Sequence, residues 1–138
     1  MPPDCIFCKI IAGELPSYKI HEDDRVLAFL DIHPVNAGHA LVIPKVHTSN
    51  VCDSDDTDAT AVLSVARRLA PAIQQSVGAQ GCNLTFNCGA AAGQIIFHTH
   101  LHVIPRFEND GHKSWHSRGE AGDLAATAEK IKTSLAGA

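Results

Sequence analysis

His98, His100 and His102 alternate with Thr99, Leu101 and Val103. Successive side chains of a β-strand point to opposite faces, so a strand here puts all three imidazoles on one face, neighbours roughly 6–7 Å apart. The β-branched Thr99, Val103 and Ile104 favour that conformation. Two chemistries compete for such a row. His-x-His on a strand aims two nitrogens at one zinc ion, which then wants an acidic or histidine partner to complete it. Alternatively the middle imidazole is a nucleophile or general base, oriented and charge-balanced by its neighbours, which wants donors for an anion. Upstream, the loop Asn87 to Gln94 supplies such donors: backbone N–H groups, close approach through glycine, and an amide side chain at each end. It lacks the Gly-Lys-Ser/Thr ending of a P-loop. Cys5 and Cys8 form a Cys-x-x-Cys, either a metal half-site or a redox pair. A redox motif belongs between a strand and a helix, and no strand precedes this one, so zinc is the preferred reading.

The elements that must hold these groups follow from turn signals and periodicity. A short helix is expected over Cys5 to Ala12, stopped by Gly13 and Pro16. Strands are expected at Tyr18 to His21, Val26 to Asp31, His39 to Ile43 and Leu84 to Asn87, with the histidine row in Gln94 to Arg106. The longest helix, Thr57 to Val77, opens in an acidic stretch rich in caps and closes at Gly78. Its apolar residues Val62, Val65, Leu69, Ile73 and Val77 recur at three- and four-residue steps, and Pro71 should kink it. A last helix, Asp123 to Leu135, carries Leu124, Ala128, Ile131 and Leu135 on one face. Strands joined by hairpin-length loops, with helices set apart from them, define an α+β class.

Composition narrows the function. The 138 residues suit a single domain, with a core at about 5–106 and a tail and helix at about 107–136. Hydrophobic residues at 45% against 19% charged allow a buried core. A net charge of -4 argues against phosphate-neutralising contact with nucleic acid. No apolar run is long enough to span a bilayer, and Met1-Pro2-Pro3-Asp4 lacks the features of a signal peptide. Five cysteines cannot all pair with one another, and Cys52, Cys82 and Cys88 read as ordinary core or loop residues. A cytoplasmic domain without nucleic-acid or membrane partners is the expectation.

The segment Gln94-Ile95-Ile96-Phe97-His98-Thr99-His100-Leu101-His102-Val103-Ile104-Pro105 resembles the signature of the histidine triad (HIT) nucleotide hydrolases and transferases. The resemblance extends through Cys5 to Ile11, Phe29 to Pro34, Gly38 to Lys45 and Asn87 to Gln94, and is strongest to the Hint-like branch. It implies a HIT-like fold: an antiparallel sheet of about five strands, a long helix, a short N-terminal helix and a C-terminal helix, in a homodimer with joined sheets. It assigns His100 as the nucleophile attacking the α-phosphate of a nucleotide, through a covalent nucleotidyl-histidine. His102 contacts phosphate oxygens, the backbone carbonyl of His98 fixes the nucleophile's tautomer, and His39 is a fourth active-site histidine. Asn87, Gln94 and the N–H of Ile96 are expected at the phosphate and leaving group, and Asp31 at the ribose hydroxyls. Ile6, Phe7, Ile10, Phe29 and Ile32 are expected as purine walls, although such residues are as often plain core. Ile95 stands where many Hint-like members carry Ser, so one hydroxyl contact to phosphate is missing. The resemblance also implies a structural zinc on Cys5, Cys8, His47 and His98, with His112 and His116 as fallback ligands. The activity implied is hydrolysis of purine nucleoside phosphoramidates or related AMP conjugates. Alternatives are a dinucleoside polyphosphate hydrolase, a nucleotide-binding regulatory module with vestigial catalysis, or a zinc-dependent hydrolase using the triad as ligands.

Overall fold

In the computed structural model, residues 2, 4–113, 115 and 119–138 are described; His116 lies outside them. The chain order is α1 (Ile6–Ile11), β1 (Lys19–Glu22), β2 (Val26–Leu30), β3 (Ala40–Pro44), α2 (Asp56–Val77), β4 (Gly81–Phe86), β5 (Leu101–Arg106) and α3 (Leu124–Ala136). Five antiparallel strands form one sheet in the order β1-β2-β3-β5-β4.

Two helices cover opposite faces of this sheet, and the two-residue period of the strands divides the core between them. Val26, Ala28, Ala40, Val42, Leu101 and Val103 point towards α2 and meet its Val62, Val65, Ala66, Ala70 and Ile73. Leu27, Phe29, Leu41 and Ile43 point the other way and pack on Phe7 and Ile10 of α1. Both faces of β2 and β3 are therefore buried, which explains their nearly continuous apolar sequence. Leu27 is 0% exposed at the centre of the α1 face. Leu27→Ala is expected to cost about 2–5 kcal/mol through lost burial and a cavity. The check is a lowered urea midpoint with an unchanged denaturant slope.

α2 starts where the Asp55 carboxylate accepts from the Asp58 N–H, with Asp56 and Asp58 in its first turn, where negative charge suits the helix dipole. It ends at Gly78 in the left-handed conformation. Pro71 sits inside it without ending it. The proline removes the hydrogen bond to the carbonyl four residues back, that of Arg67, and both residues lie on the exposed side, where water can satisfy it. Gly38, at φ +97, approaches the end of α2 so closely that an added Cβ would lie 3.0 Å from Val77. That contact fixes the loop leading to His39.

Two sequence expectations shift. β5 begins at Leu101 rather than before His98, because Thr99 donates its N–H to the Thr48 carbonyl instead of joining the β3 ladder. β4 runs Gly81–Phe86, earlier than expected. α3 forms where expected, and its apolar residues Leu124, Ile131 and Leu135 are exposed.

Candidate active site and metal centre

Two clusters meet at the entry to β5. Thr99, 1% exposed, anchors the approach: its hydroxyl lies 2.6 Å from that of Thr48, and its N–H reaches the Thr48 carbonyl at 2.8 Å. His98 and His100 thus sit on a bent segment before the strand, and His102 on the strand itself. His100 and His102 keep the shared face that alternation predicts, with ring centroids 4.9 Å apart. His98 departs from it, its ring turning towards α1.

Backbone contacts to His100 and His39, and the His39 ring against His102, fix the protonated nitrogen of each imidazole. His100 Nδ1–H donates to the carbonyl of His98 at 2.7 Å, leaving Nε2 with a free lone pair. The Val35 N–H donates to His39 Nδ1 at 3.0 Å, so the proton of neutral His39 is on Nε2. That Nε2 lies 2.9 Å from His102 Nδ1 and donates to it. His102 therefore carries its proton on Nε2. The outcome is a bare nitrogen on His100 beside an N–H donor on His102, the pair that in-line attack on a phosphorus centre needs.

Burial holds these rings neutral. It lowers the pKa of His100, against the opposing pull of the His98 carbonyl and Asp31. It lowers His39 likewise, with Asp31 opposing. For His102 burial is again the main cause, helped by His100 and His39, and the value falls to about 4. An unfolded histidine takes up its proton near 6.5, whereas folded His102 waits until about 4. Between these values the unfolded chain binds more protons, so stability falls as pH drops through that window. Urea midpoints should decline from pH 7 to pH 4.5, less steeply in His102→Gln.

Asn87 follows β4 and lines an open cleft of about 310 Å³ with His39, His102 and Thr85. Asn83, Arg106, Lys113 and Trp115 border the same cleft; their separation in sequence gave no signal of it. Arg106 is held by a two-pronged contact to Asp110, at 2.8 and 3.0 Å, which keeps the Asp110 carboxyl well below the usual carboxylate range. Asp110 also accepts from Asn36, tying this segment to the His39 loop.

Gln94 is spent differently from the expectation of a phosphate contact. It is 4% exposed, its Oε1 accepts from the Gly89 N–H, and its Nε2 donates to the carbonyls of Ser49 and Ile96. With both amide hydrogens committed, it braces the glycine loop. Ile95, beside it, is 86% exposed. Asp31 accepts from the His33 N–H and lies 3.6 Å from His39 Nε2, leaving its carboxylate partly open. Of the expected purine walls, Phe7, Ile10 and Phe29 belong to the α1-face core, while Ile6 and Ile32 are exposed. Phe7 also sets its ring edge-to-face against His100, at 5.2 Å.

The second cluster is Cys5, Cys8, His47 and His98, whose donor atoms all lie within 4.8 Å of one another. Cys5 and Cys8 Sγ stand 3.4 and 3.5 Å from His98 Nδ1, Cys8 Sγ is 3.4 Å from His47 Nδ1, and the two Nδ1 atoms are 3.1 Å apart. Tetrahedral zinc with these donor types has edges of roughly 3.3–3.8 Å, so the set fits with small adjustment. His98 Nε2–H donates to the Pro44 carbonyl at 2.8 Å, which turns the unprotonated Nδ1 towards the sulfurs. Burial pushes the Cys8 thiol up to about 11, the neighbouring Cys5 adding to this, so a metal entering here must displace a proton. His112 is not part of this set; its ring contacts the Val35 carbonyl. Asp31, His39 and His102 also converge, but the facing nitrogens of the two histidines are engaged with each other. The triad-as-ligands reading needs the rings of His98, His100 and His102 at one ion, whereas His98 turns its ring to Cys5 and Cys8.

The HIT domain family model matches residues 12–109, and the chain belongs to the histidine triad family. It is 47% identical over 107 residues to the adenylylsulfatase HINT3 of Arabidopsis thaliana, a match covering 78% of this chain and 54% of that protein. The chain thus spans about half the length of that relative. A crystal structure from Streptococcus mutans UA159 superposes with a TM-score of 0.92 at 39% identity, covering 98% of this chain and 87% of the other. A zinc-bound histidine triad protein from Mycobacterium smegmatis superposes at 0.76 with 38% identity, covering 94% and 97%.

Proposed function

We propose that the chain hydrolyses purine nucleoside phosphoramidates or related AMP conjugates at the α-phosphate. The observation that carries this reading is the opposed tautomers of His100 and His102. The Nε2 lone pair of His100 attacks the α-phosphorus, a P–N bond to the imidazole forms, and the bond to the leaving group breaks. His102 Nε2–H stabilises the phosphoryl oxygens, with Asn87 beside the leaving group and Gln94 acting as a positioning residue for the loop. Water then cleaves the nucleotidyl-histidine, releasing the mononucleotide and restoring the imidazole. Asp31 binds the ribose hydroxyls, and Ile6 and Ile32, the exposed members of the apolar set, flank the base. The related adenylylsulfatase supports an adenylyl group bonded to a small leaving group.

Cys5, Cys8, His47 and His98 hold a structural zinc in this reading, a closed set that cross-links α1 to the loops around β5. The donor distances and the zinc-bound relative support it. A homodimer is also proposed: β4 is an edge strand with Leu84 exposed, the kind of edge that a second sheet extends. No helix among the described residues is long and apolar enough to cross a membrane. A cytoplasmic location is also proposed, because a zinc site of this kind needs Cys5 and Cys8 kept reduced.

The test is a rapid quench into alkaline denaturant during turnover of an adenosine phosphoramidate, followed by peptide mass spectrometry kept at alkaline pH, because the P–N bond of a nucleotidyl-histidine is cleaved by acid. One adenylyl group on the peptide containing His100 is the expected result. Turnover without any adenylylated histidine overturns the covalent route.

A further inference from the structure

The two exposed thiols of the chain, which belong neither to the metal cluster nor to the core, stand next to each other. Cys52 lies in a short 3₁₀ turn, Val51–Asp53, and Cys88 lies between Asn87 and Gly89 at the start of the glycine-rich loop. They are 36 residues apart in sequence, yet their sulfurs are 3.9 Å apart, Cys52 Sγ–H donating to Cys88. Both are exposed, unlike buried Cys8 and part-buried Cys5 and Cys82.

The segments that carry them are well placed to support a cross-link. The Cys52 turn is capped by Asn50, whose side chain accepts from the Cys52 N–H at 2.9 Å. Gln94 already joins the two stretches: it accepts from Gly89, next to Cys88, and donates to the carbonyl of Ser49, next to Asn50. A disulfide has an S–S distance near 2.05 Å, so the sulfurs must close by about 1.9 Å. Gly89, at φ +93, provides a loose joint beside Cys88, and Asn87 on its other side lines the cleft with His102.

We propose that Cys52 and Cys88 form a reversible dithiol–disulfide site that sets the position of the Asn87 loop. The oxidant is a small peroxide. One thiolate attacks a peroxide oxygen, the O–O bond breaks, and a sulfenic acid forms with release of water once the departing oxygen is protonated. The second thiol then attacks the sulfenic sulfur: an S–S bond forms, the S–O bond breaks and a second water leaves. The two sulfurs lose two electrons in total, and the peroxide is reduced to two waters. Thiol reductants reverse the link by exchange. The effect on turnover rests on the hydrolase reading above, because it acts through Asn87; formation of the link does not. Displacement of a substrate-positioning group by about 1 Å can cost on the order of a hundredfold in rate.

The test treats zinc-loaded protein with stoichiometric hydrogen peroxide, digests it without reductant and maps cross-linked peptides. In parallel it follows phosphoramidate turnover before oxidation, after oxidation and after dithiothreitol. A 52–88 linkage two hydrogens lighter than the separate peptides is expected, with turnover down at least tenfold and restored by the reductant. Cys52→Ser should match the reduced wild type and ignore peroxide. Both thiols remaining open to alkylation after peroxide overturns the site, and a linkage with unchanged turnover overturns its control of the loop. A linkage in protein that never turns over leaves the dithiol site standing and removes the hydrolase reading instead.

Discussion

His100→Ala should lower turnover of an adenosine phosphoramidate by at least about a thousandfold, some 4 kcal/mol at 1.4 kcal/mol per tenfold. The expectation follows from geometry. His100 presents the one Nε2 lone pair that a backbone carbonyl leaves unprotonated beside a fixed N–H donor. No neighbouring group substitutes for it, since His102 has its lone pair turned to His39 and His98 has its ring turned to the cysteines. The ring of His100 is 8% exposed and packs against Phe7, so the variant is also expected to lose some stability. Thermal unfolding and nucleotide binding must therefore be measured alongside rate. A folded variant that binds nucleotide but does not turn over supports the nucleophile. Equal, slow rates in wild type and variant would assign the activity to a contaminant and leave a binding module.

Removal of zinc should produce a large stability change. One zinc per chain is expected by elemental analysis. Chelation, or Cys8→Ser, should lower the melting temperature by at least about 10 °C, corresponding to roughly 3–4 kcal/mol for a chain of this size. Structural zinc binds zinc-finger peptides with about 10–16 kcal/mol, but here an independent core persists, so the fold should weaken rather than vanish. Zinc uptake releases protons from the cysteines, so the chelator should become more effective as pH falls. The same experiment discriminates a catalytic metal. Well below the melting temperature, chelated protein that is still folded should keep much of its turnover; immediate loss of all turnover would move the metal into the reaction.

The strand periods, the α2 face and the caps were readable because each is local: two residues per pleat, three to four per turn, a carboxylate before a helix. The alternation of His100 with His102 was readable for the same reason. What periodicity could not show was the bend before β5, since a strand pattern contains nothing about Thr99 bonding to Thr48 across 51 residues. Gln94 was expected to touch substrate because an amide beside a phosphate loop can do so. Its actual partners, Ser49 and Gly89, depend on how two distant loops meet. The apolar residues of α1 were ambiguous between core and pocket for a physical reason: Phe7 does both, packing on Phe29 and against His100. The exposed face of α3 was invisible because its periodicity reports a potential to be buried, not a partner.

His98 contributes its side chain to one site and its peptide group to another. Its ring faces Cys5 and Cys8 while its carbonyl receives the proton of His100. A mutational survey scored on activity alone would show His98 losing some turnover, because the segment that offers its carbonyl to His100 loses its anchor while the peptide group itself remains. Scored on melting temperature, it would group with Cys8 and His47. Only the two scores read together separate a residue that holds the nucleophile still from one that takes part in the reaction.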